Sequence, residues 1–469
     1  MFKKNAASVD AKERQQLIYQ LDGRPPFGTA FPLGMQHVLC MFTSNLAPLL
    51  IVAGACGLSG QQIVNIVQCA MLMAGLTTLL QLYPLRFGKN FQIGAGIPIF
   101  MATSFAFVPA GTALAAATLA AGATPEEAMG TIIGCCIIGS IVELLMGLCY
   151  KFIGRLFPPL VVGAGLTAIG ISLLTVGVNY MAGGNGSPDY GSAENMALGF
   201  GVFAIVVVLQ RFGKGFIKNS AILIALVVGY VIAGFMGMLD FSSIKEASWV
   251  SVPMPWQFDV KFSLSASVSF IILFIYSGLQ IIGNGNGVTI ACFDRSATDK
   301  ETSGGIMADA VGSLFAAIFN CMPNTAFGQN AGIIAMTKIC NKWSIALGAF
   351  VLVIASFLPK LGGLFSGIPS CVLGGVLMSV FGTILLNGIK MIAKAGFSER
   401  NILVLAITFS LGLGLAGKAD AIANLPGFLK FIFNDSVAAT CIVAIVINLI
   451  FPEEKKVKAA AAAEEKSEG

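Results

Sequence analysis

Uncharged apolar runs long enough to cross a bilayer recur from end to end of the chain. Residues 157–178 (FPPLVVGAGLTAIGISLLTVGV), 220–239 and 265–283 contain no Asp, Glu, Lys or Arg at all. A bilayer core about 30 Å thick needs roughly 20 apolar residues per helix, and only helices or closed barrels satisfy their backbone there. The composition excludes a water-soluble alternative. Charged residues make up 11% of the 469, against about 25% in soluble domains, and apolar residues reach 56% before the 55 glycines are counted. Runs of this length select helices over the alternating strands of a barrel.

The net charge of +5 is small, which argues against nucleic acid as a partner. The 11 cysteines show no metal-ligand spacing. With Cys135–Cys136, Cys69, Cys149 and Cys441 inside apolar runs, they read as buried, reduced and structural. The opening MFKKNAASVDAKERQQLIYQLDGRPP has no apolar stretch and reads as a solvated tail rather than a cleaved signal. A single histidine, and no visible nucleophile–base pair, argue against an enzyme.

Apolar segments can be placed near 30–55, 60–83, 94–108, 128–150, 157–178, 195–210, 220–239, 265–283, 305–320, 325–337, 343–359, 370–389, 400–417 and 434–451. The expected fold is an all-α polytopic membrane protein with about 14 transmembrane segments. Two segments are too short to span as plain helices: GAGIPIFMATSFAF, ending at Phe107, and PNTAFGQNAGIIAMT, ending at Thr337. They are the third segment of each half of seven. Paired, Gly- and Pro-interrupted segments at matching positions point to a transporter built of inverted repeats, with its site at the midplane. An even count puts both termini on one side, and all Lys and Arg except Lys245, Lys261, Lys360, Lys418 and Lys430 then fall on that side. The positive-inside rule makes it the cytoplasm.

Irregular backbone at membrane depth must be buried in protein or line a cavity. Candidates for chemistry therefore cluster in and around the two broken segments. Ser104 and Phe105 in the third, and Gln329 and Asn330 in the tenth, suit a flat, hydrogen-bonding solute. A carboxamide offers a donor beside an acceptor, and a phenyl ring offers a stacking face. The alternative for each is a polar helix-packing contact, which their clustering in the two broken segments disfavours. Gln280 and Asn284 share one face of the eighth segment and suggest a polar lining. Ionisable groups within spans are His37, Glu143 and Asp309. His37 reads as an orienting hydrogen bonder or a substrate ligand. Glu143, close to the Lys151 loop, reads as an interfacial, partly hydrated carboxylate. Asp309, placed near the start of its helix, reads as a cap or as a proton-coupling group.

The run Gln329-Asn330-Ala331-Gly332-Ile333-Ile334-Ala335-Met336-Thr337-Lys338 closely resembles the signature of the nucleobase–ascorbate transporter family (nucleobase:cation symporter family 2). GMQHVLCMF with His37, SFAF from Ser104, FPPLVVG from Phe157 and GGIMAD ending at Asp309 resemble further landmarks, so the likeness covers residues 27–452. It implies two inverted seven-segment repeats divided into core and gate domains. The tails would be 1–28 and 453–469, the core 29–150 and 262–365, and the gate 151–261 and 366–452. It also implies a homodimer in the cytoplasmic membrane, and transport of a nucleobase with H⁺, or in some members ascorbate with Na⁺. No resident cofactor is implied.

By the same resemblance Ser104, Phe105, Gln280, Phe327, Gly328, Gln329 and Asn330 would contact the base, while His37, Asn284 and Asp309 would support the site or its coupling. Gln at position 329 resembles the purine (xanthine or urate) members, whereas uracil carriers usually have Glu. Many members carry a carboxylate in the eighth helix where this chain has Gln280, and an Asp where it has Asn284. A carboxamide can hold a base but cannot titrate. Coupling through Asp309, use of Na⁺, uncoupled transport and a different substrate, such as uracil, all follow as alternatives. An anion exchanger of related fold is a remoter one, since segments three, eight and ten hold no Lys or Arg before Lys338.

Overall fold

The helices begin where the sequence supplies caps. Ser59 with Gln62, Thr124 with Glu127 and Thr298 with Glu301 form reciprocal capping boxes, each filling two orphan donors of a first turn. Between them a computed structural model describes residues 17–451, apart from 89–90, 151–157, 185–186, 417, 419–420, 423, 427–428, 430–431 and 434. The start of FPPLVVG, the stretch before Leu17 and the tail beyond Phe451 lie outside the described residues.

The first half runs α1 (Phe27–Cys56), α2 (Gly60–Leu82), a small hairpin β1 (Leu85–Phe87) and β2 (Phe91–Ile93), strand β3 (Met101–Thr103), α3 (Val108–Ala120) and α4 (Pro125–Leu148). It continues through α5 (Pro159–Met181), α6 (Ala193–Phe212) and α7 (Ala221–Phe235). The second half repeats the plan: α8 (Leu264–Phe293), α9 (Asp299–Ile318), strand β4 (Asn324–Ala326), α10 (Gly328–Thr337) and α11 (Lys342–Ala355). It ends with α12 (Ser370–Ala395), α13 (Glu399–Gly412) and α14 (Ser436–Ile450). Seven described helices are long and apolar enough to cross a membrane by themselves. The pair Lys342–Ala355 and Pro359–Ser366, bent by 85°, makes an eighth when counted as one span. The chain is a multi-pass helical membrane protein, and the remaining segments are shorter helices or strand–helix pieces.

Packing follows the repeat. α2 lies on α11 as α9 lies on α4, and α1 meets α11 as α8 meets α4. α6 packs on α7 as α13 packs on α14, and α14 on α5 as α7 on α12. Adding seven to each helix number, and wrapping past fourteen, exchanges these pairs. That permutation is the mark of a pseudo-two-fold axis, and seven elements per half make the repeats inverted. α5 and α12 exchange with each other and pack along their length. Small residues allow it: a Cβ on Gly388 would stand 2.5 Å from Thr167 N, and one on Gly170 2.5 Å from Leu385 Cα.

Four sequence readings change. The tail is not wholly solvated: Leu17–Gly23 rests on the start of α11, where buried Asn341 donates from Nδ2 to the carbonyls of Gln20 (2.9 Å) and Gly23 (2.7 Å). Lys342 adds an ion pair to Asp22 at 3.0 Å. The cysteines are not all free and buried, since Cys292 is bonded to Cys340 and Cys149 is exposed. Glu143 is not interfacial but fully buried, 0% exposed, because α4 runs on to Leu148 and packs against α8 and α9. Asp309 stands in mid-helix rather than near a helix start, because α9 is capped by Thr298, eleven residues earlier, with Glu301.

Candidate functional site

Strands β3 and β4 pair antiparallel, Met101 with Ala326, Ala102 with Thr325 and Thr103 with Asn324. Each leads into a short helix. The two broken segments therefore abut, and the N-termini of α3 and α10, where amides and the positive dipole end are exposed, follow directly on the strand pair. One residue, Ser104, leads from β3 into a 3-10 turn at Phe105–Phe107, and one, Phe327, leads from β4 into α10.

The unwound backbone is held by side chains from the surrounding helices. Thr78 on α2 accepts from Met101 N (2.9 Å), and Asn45 on α1 accepts both Thr103 N (2.9 Å) and Thr103 Oγ1 (3.1 Å). The two segments also bond each other directly, Ser104 N to Pro323 O and Phe327 N to Phe100 O, both at 2.8 Å. Buried amides at membrane depth need such partners, since water is not there to supply them.

Gln280 and Asn284, on one face of α8, both reach β4. Asn284 Nδ2 donates to Ala326 O at 2.8 Å, and its side chain adjoins Gly328. Gln280 Oε1 accepts from Thr325 Oγ1 at 3.4 Å and remains half-buried, with Tyr276 beside its amide. On α10, Phe327 supplies no side-chain cap, so the first amides of the helix are not taken up by one. Gly328 is exposed and Gln329 half-buried at that point. Gln329 Oε1 accepts a 3.7 Å contact from Cys40 Sγ on α1, leaving its amide nitrogen to face elsewhere.

Asn330 turns inward. It is buried, its Nδ2 donates to Pro98 O at 2.9 Å, and His37 lies beside it. His37 is buried too, stacked on Phe100 with ring centroids 6.4 Å apart. Both brace the third and tenth segments against α1. Ser104 is buried, and its hydroxyl oxygen caps the following turn by accepting from Ala106 N at 3.3 Å. Phe105 is half-buried and meets Phe381 of α12 edge-on at 5.5 Å.

Behind β4 lies a polar line with few sequence signals. Ser277 on α8 bonds Asp309 Oδ2 (2.9 Å) and Thr325 Oγ1 (3.3 Å), and Asp309 abuts Glu143. Ser277 and Thr325 are ordinary hydroxyl residues in apolar runs. Thr325 is betrayed only by its place in a broken segment, and Ser277 by lying three residues before Gln280 on the same helix. Among the described residues no group of acids, histidines and cysteines could hold a metal ion.

Comparison with known proteins follows this geometry. A family model, Xan_ur_permease (Permease family), matches residues 28–420. The xanthine permease of Bacillus subtilis is 34% identical over 440 residues, 93% of this chain and 96% of that protein. The uric acid permease PucK of the same organism is 34% identical over 424 residues, 89% of this chain and 94% of its own. Among solved structures, the transmembrane domain of a cyanobacterium bicarbonate transporter, BicA, superposes with a TM-score of 0.55. It is 15% identical, with 90% of this chain and 98% of that one covered, so the likeness is one of fold.

Proposed function

The chain belongs to the permease family Xan_ur_permease, and from that premise we propose that it carries a nucleobase, xanthine or urate first, across the cytoplasmic membrane by alternating access. Membership makes it a transporter family protein and not an enzyme. The names of its relatives, a xanthine and a uric acid permease, support the substrate class.

One observation carries the reading: two unwound segments meet as β3 and β4, with the carboxamides of Gln280 and Gln329 and the uncapped start of α10 around them. A planar, neutral heterocycle exchanges its hydrogen bonds with water for carboxamide and backbone ones, without burying a net charge. Carbonyl oxygens of an oxidised purine suit a helix N-terminus. Phe105, at the border with α12, is suited to stack on the ring. His37, Asn330 and Asn284 would hold the broken segments in register. Ser104 would shape the turn that presents Phe105. Transport would follow from the group α1–α4 with α8–α11 moving against α5–α7 with α12–α14.

We assign H⁺ as the co-transported ion, both termini to the cytoplasm and a homodimer as the working form. The asymmetric distribution of Lys and Arg supports the orientation. Uptake by cells expressing the chain, measured with labelled xanthine, urate and uracil while pH and Na⁺ are varied separately, tests the reading. Gln329→Ala is expected to abolish uptake at normal expression. Near wild-type uptake would remove Gln329 from the site, and currents carried by chloride or sulfate in place of base uptake would overturn the reading.

A further inference from the structure

We propose that Glu143 and Asp309 together form the proton-carrying site of this transporter, and that Ser277 and Thr325 transmit its state to Gln280. The inference rests on the nucleobase-carrier reading above and supplies what Gln280 lacks, a group that titrates.

Glu143 on α4 and Asp309 on α9 are both 0% exposed, and their carboxyl groups abut. α8 packs over Glu143 at Gly278, where a Cβ would lie 3.4 Å from Glu143 Oε1. No N–H or O–H elsewhere among the described residues reaches either Glu143 oxygen or Asp309 Oδ1. No lysine or arginine lies on α4 or α8, and the one on α9, Lys300, stands in its first turn. Other ionisable groups on the packed elements are His37, Cys40 and Cys56 on α1, Cys69 on α2, Cys135 and Cys136 on α4 and Tyr276 on α8. Glu126 and Glu127 in the first turn of α4 stand about 24 Å away along that helix, and Asp299, Lys300 and Glu301 in the first turn of α9 about 12 Å. Two ionised carboxylates touching in such a place would each lose their hydration, with repulsion added and no cation beside them to offset it. A proton shared between them joins one oxygen of each carboxyl and cancels a charge. The pair is a place to load and unload H⁺.

The link to substrate is a matter of hydroxyl arithmetic. Ser277 has one proton to donate and two neighbours, Asp309 Oδ2 at 2.9 Å and Thr325 Oγ1 at 3.3 Å. When Asp309 is ionised, Ser277 donates to it, and Thr325 in turn donates to Ser277. Gln280 Oε1 then loses its donor. When Asp309 is protonated it can donate to Ser277, which donates to Thr325, which donates to Gln280 Oε1 at 3.4 Å. The chain of donors reverses when the proton sits on Asp309 Oδ2 instead of being shared with Glu143 or lost. In the loaded state the Gln280 carbonyl is occupied and its amide hydrogens are the free face. In the unloaded state the carbonyl is free to accept. A base that needs one of these faces binds to one protonation state, which couples the two ligands reciprocally.

The test uses full-length protein in liposomes clamped at zero potential, with radiolabelled xanthine as the probe and the outside one pH unit more acidic. One proton per base drives about tenfold accumulation in the wild type. Glu143→Gln is expected to keep xanthine binding and counterflow exchange, which also shows that it is folded. It should lose the accumulation and flatten the dependence of affinity on pH. Ser277→Ala, which keeps both carboxyls but cuts the relay, should flatten the affinity profile in the same way. Tenfold accumulation by Glu143→Gln, or a wild-type affinity profile in Ser277→Ala, would overturn the proposal. So would wild-type uptake indifferent to pH, while leaving the nucleobase reading intact. A wild type that takes up no base in the panel would sink that reading and this inference with it.

Discussion

Removing Asn45 isolates the cost of holding an unwound strand inside a membrane. Asn45 is 0% exposed on α1, and its Oδ1 accepts both the backbone N–H and the hydroxyl of Thr103 at the end of β3. Asn45→Ala leaves that N–H buried without a partner, which costs about 1–3 kcal/mol, and removes a hydroxyl bond worth about 1 kcal/mol. Against this, Asn45 Nδ2 has no partner of its own, so deleting it relieves about 1 kcal/mol of the same kind of penalty. The net expectation is a destabilisation of about 1–3 kcal/mol. Reversible unfolding in mixed micelles titrated with dodecyl sulfate, followed by circular dichroism, reads it. Thr103→Val supplies the cycle: it should cost about 1 kcal/mol in the wild type and almost nothing once Asn45 is gone. A stability for Asn45→Ala within about 0.5 kcal/mol of wild type, or equal effects of Thr103→Val in both backgrounds, would refute the idea that this side chain holds the strand.

Three further outcomes follow. Asn341→Ala should free Leu17–Gly23 from α11, seen as faster proteolysis N-terminal to Arg24 with the membrane region intact; unchanged cleavage would mean that the Lys342–Asp22 pair and Lys342 N–H suffice. Gly139→Ala places a methyl carbon 2.1 Å from Phe274 Cδ2, where α4 crosses α8, and should destabilise by about 1–3 kcal/mol through overpacking, measured in the same titration. Gln280→Glu puts a titratable group into contact with Thr325 and should steepen the pH dependence of uptake; an unchanged profile would show that this position takes no part in coupling.

The parts legible in the sequence were those where the bilayer leaves no choice. A Gly- and Pro-rich apolar piece too short to span must be broken, and two such pieces in matching places must face each other, as β3 and β4 do. Gln329 and Asn330 could be picked out for the same reason, although only the structure separates them: Gln329 stays half-buried beside Cys40, while Asn330 is spent on Pro98 O. What stayed hidden depended on which helices touch. Distance along the chain from Lys151 suggested a wet interface for Glu143, yet wetness is set by neighbours, and α8 and α9 seal that face. The cap of α9 lies at Thr298, so Asp309, read as near a helix end, is freed from that duty in mid-span. Hydrophobic pattern cannot report that Ser277 lies between a carboxyl and a threonine, because a serine in an apolar run usually bonds its own helix backbone. Here the pair of amides on α8, Gln280 and Asn284, was the usable signal. A helix that presents two amides and no carboxylate, in a chain that buries two acids on its neighbours, directs attention to α4 and α9 for the charge that α8 does not bear.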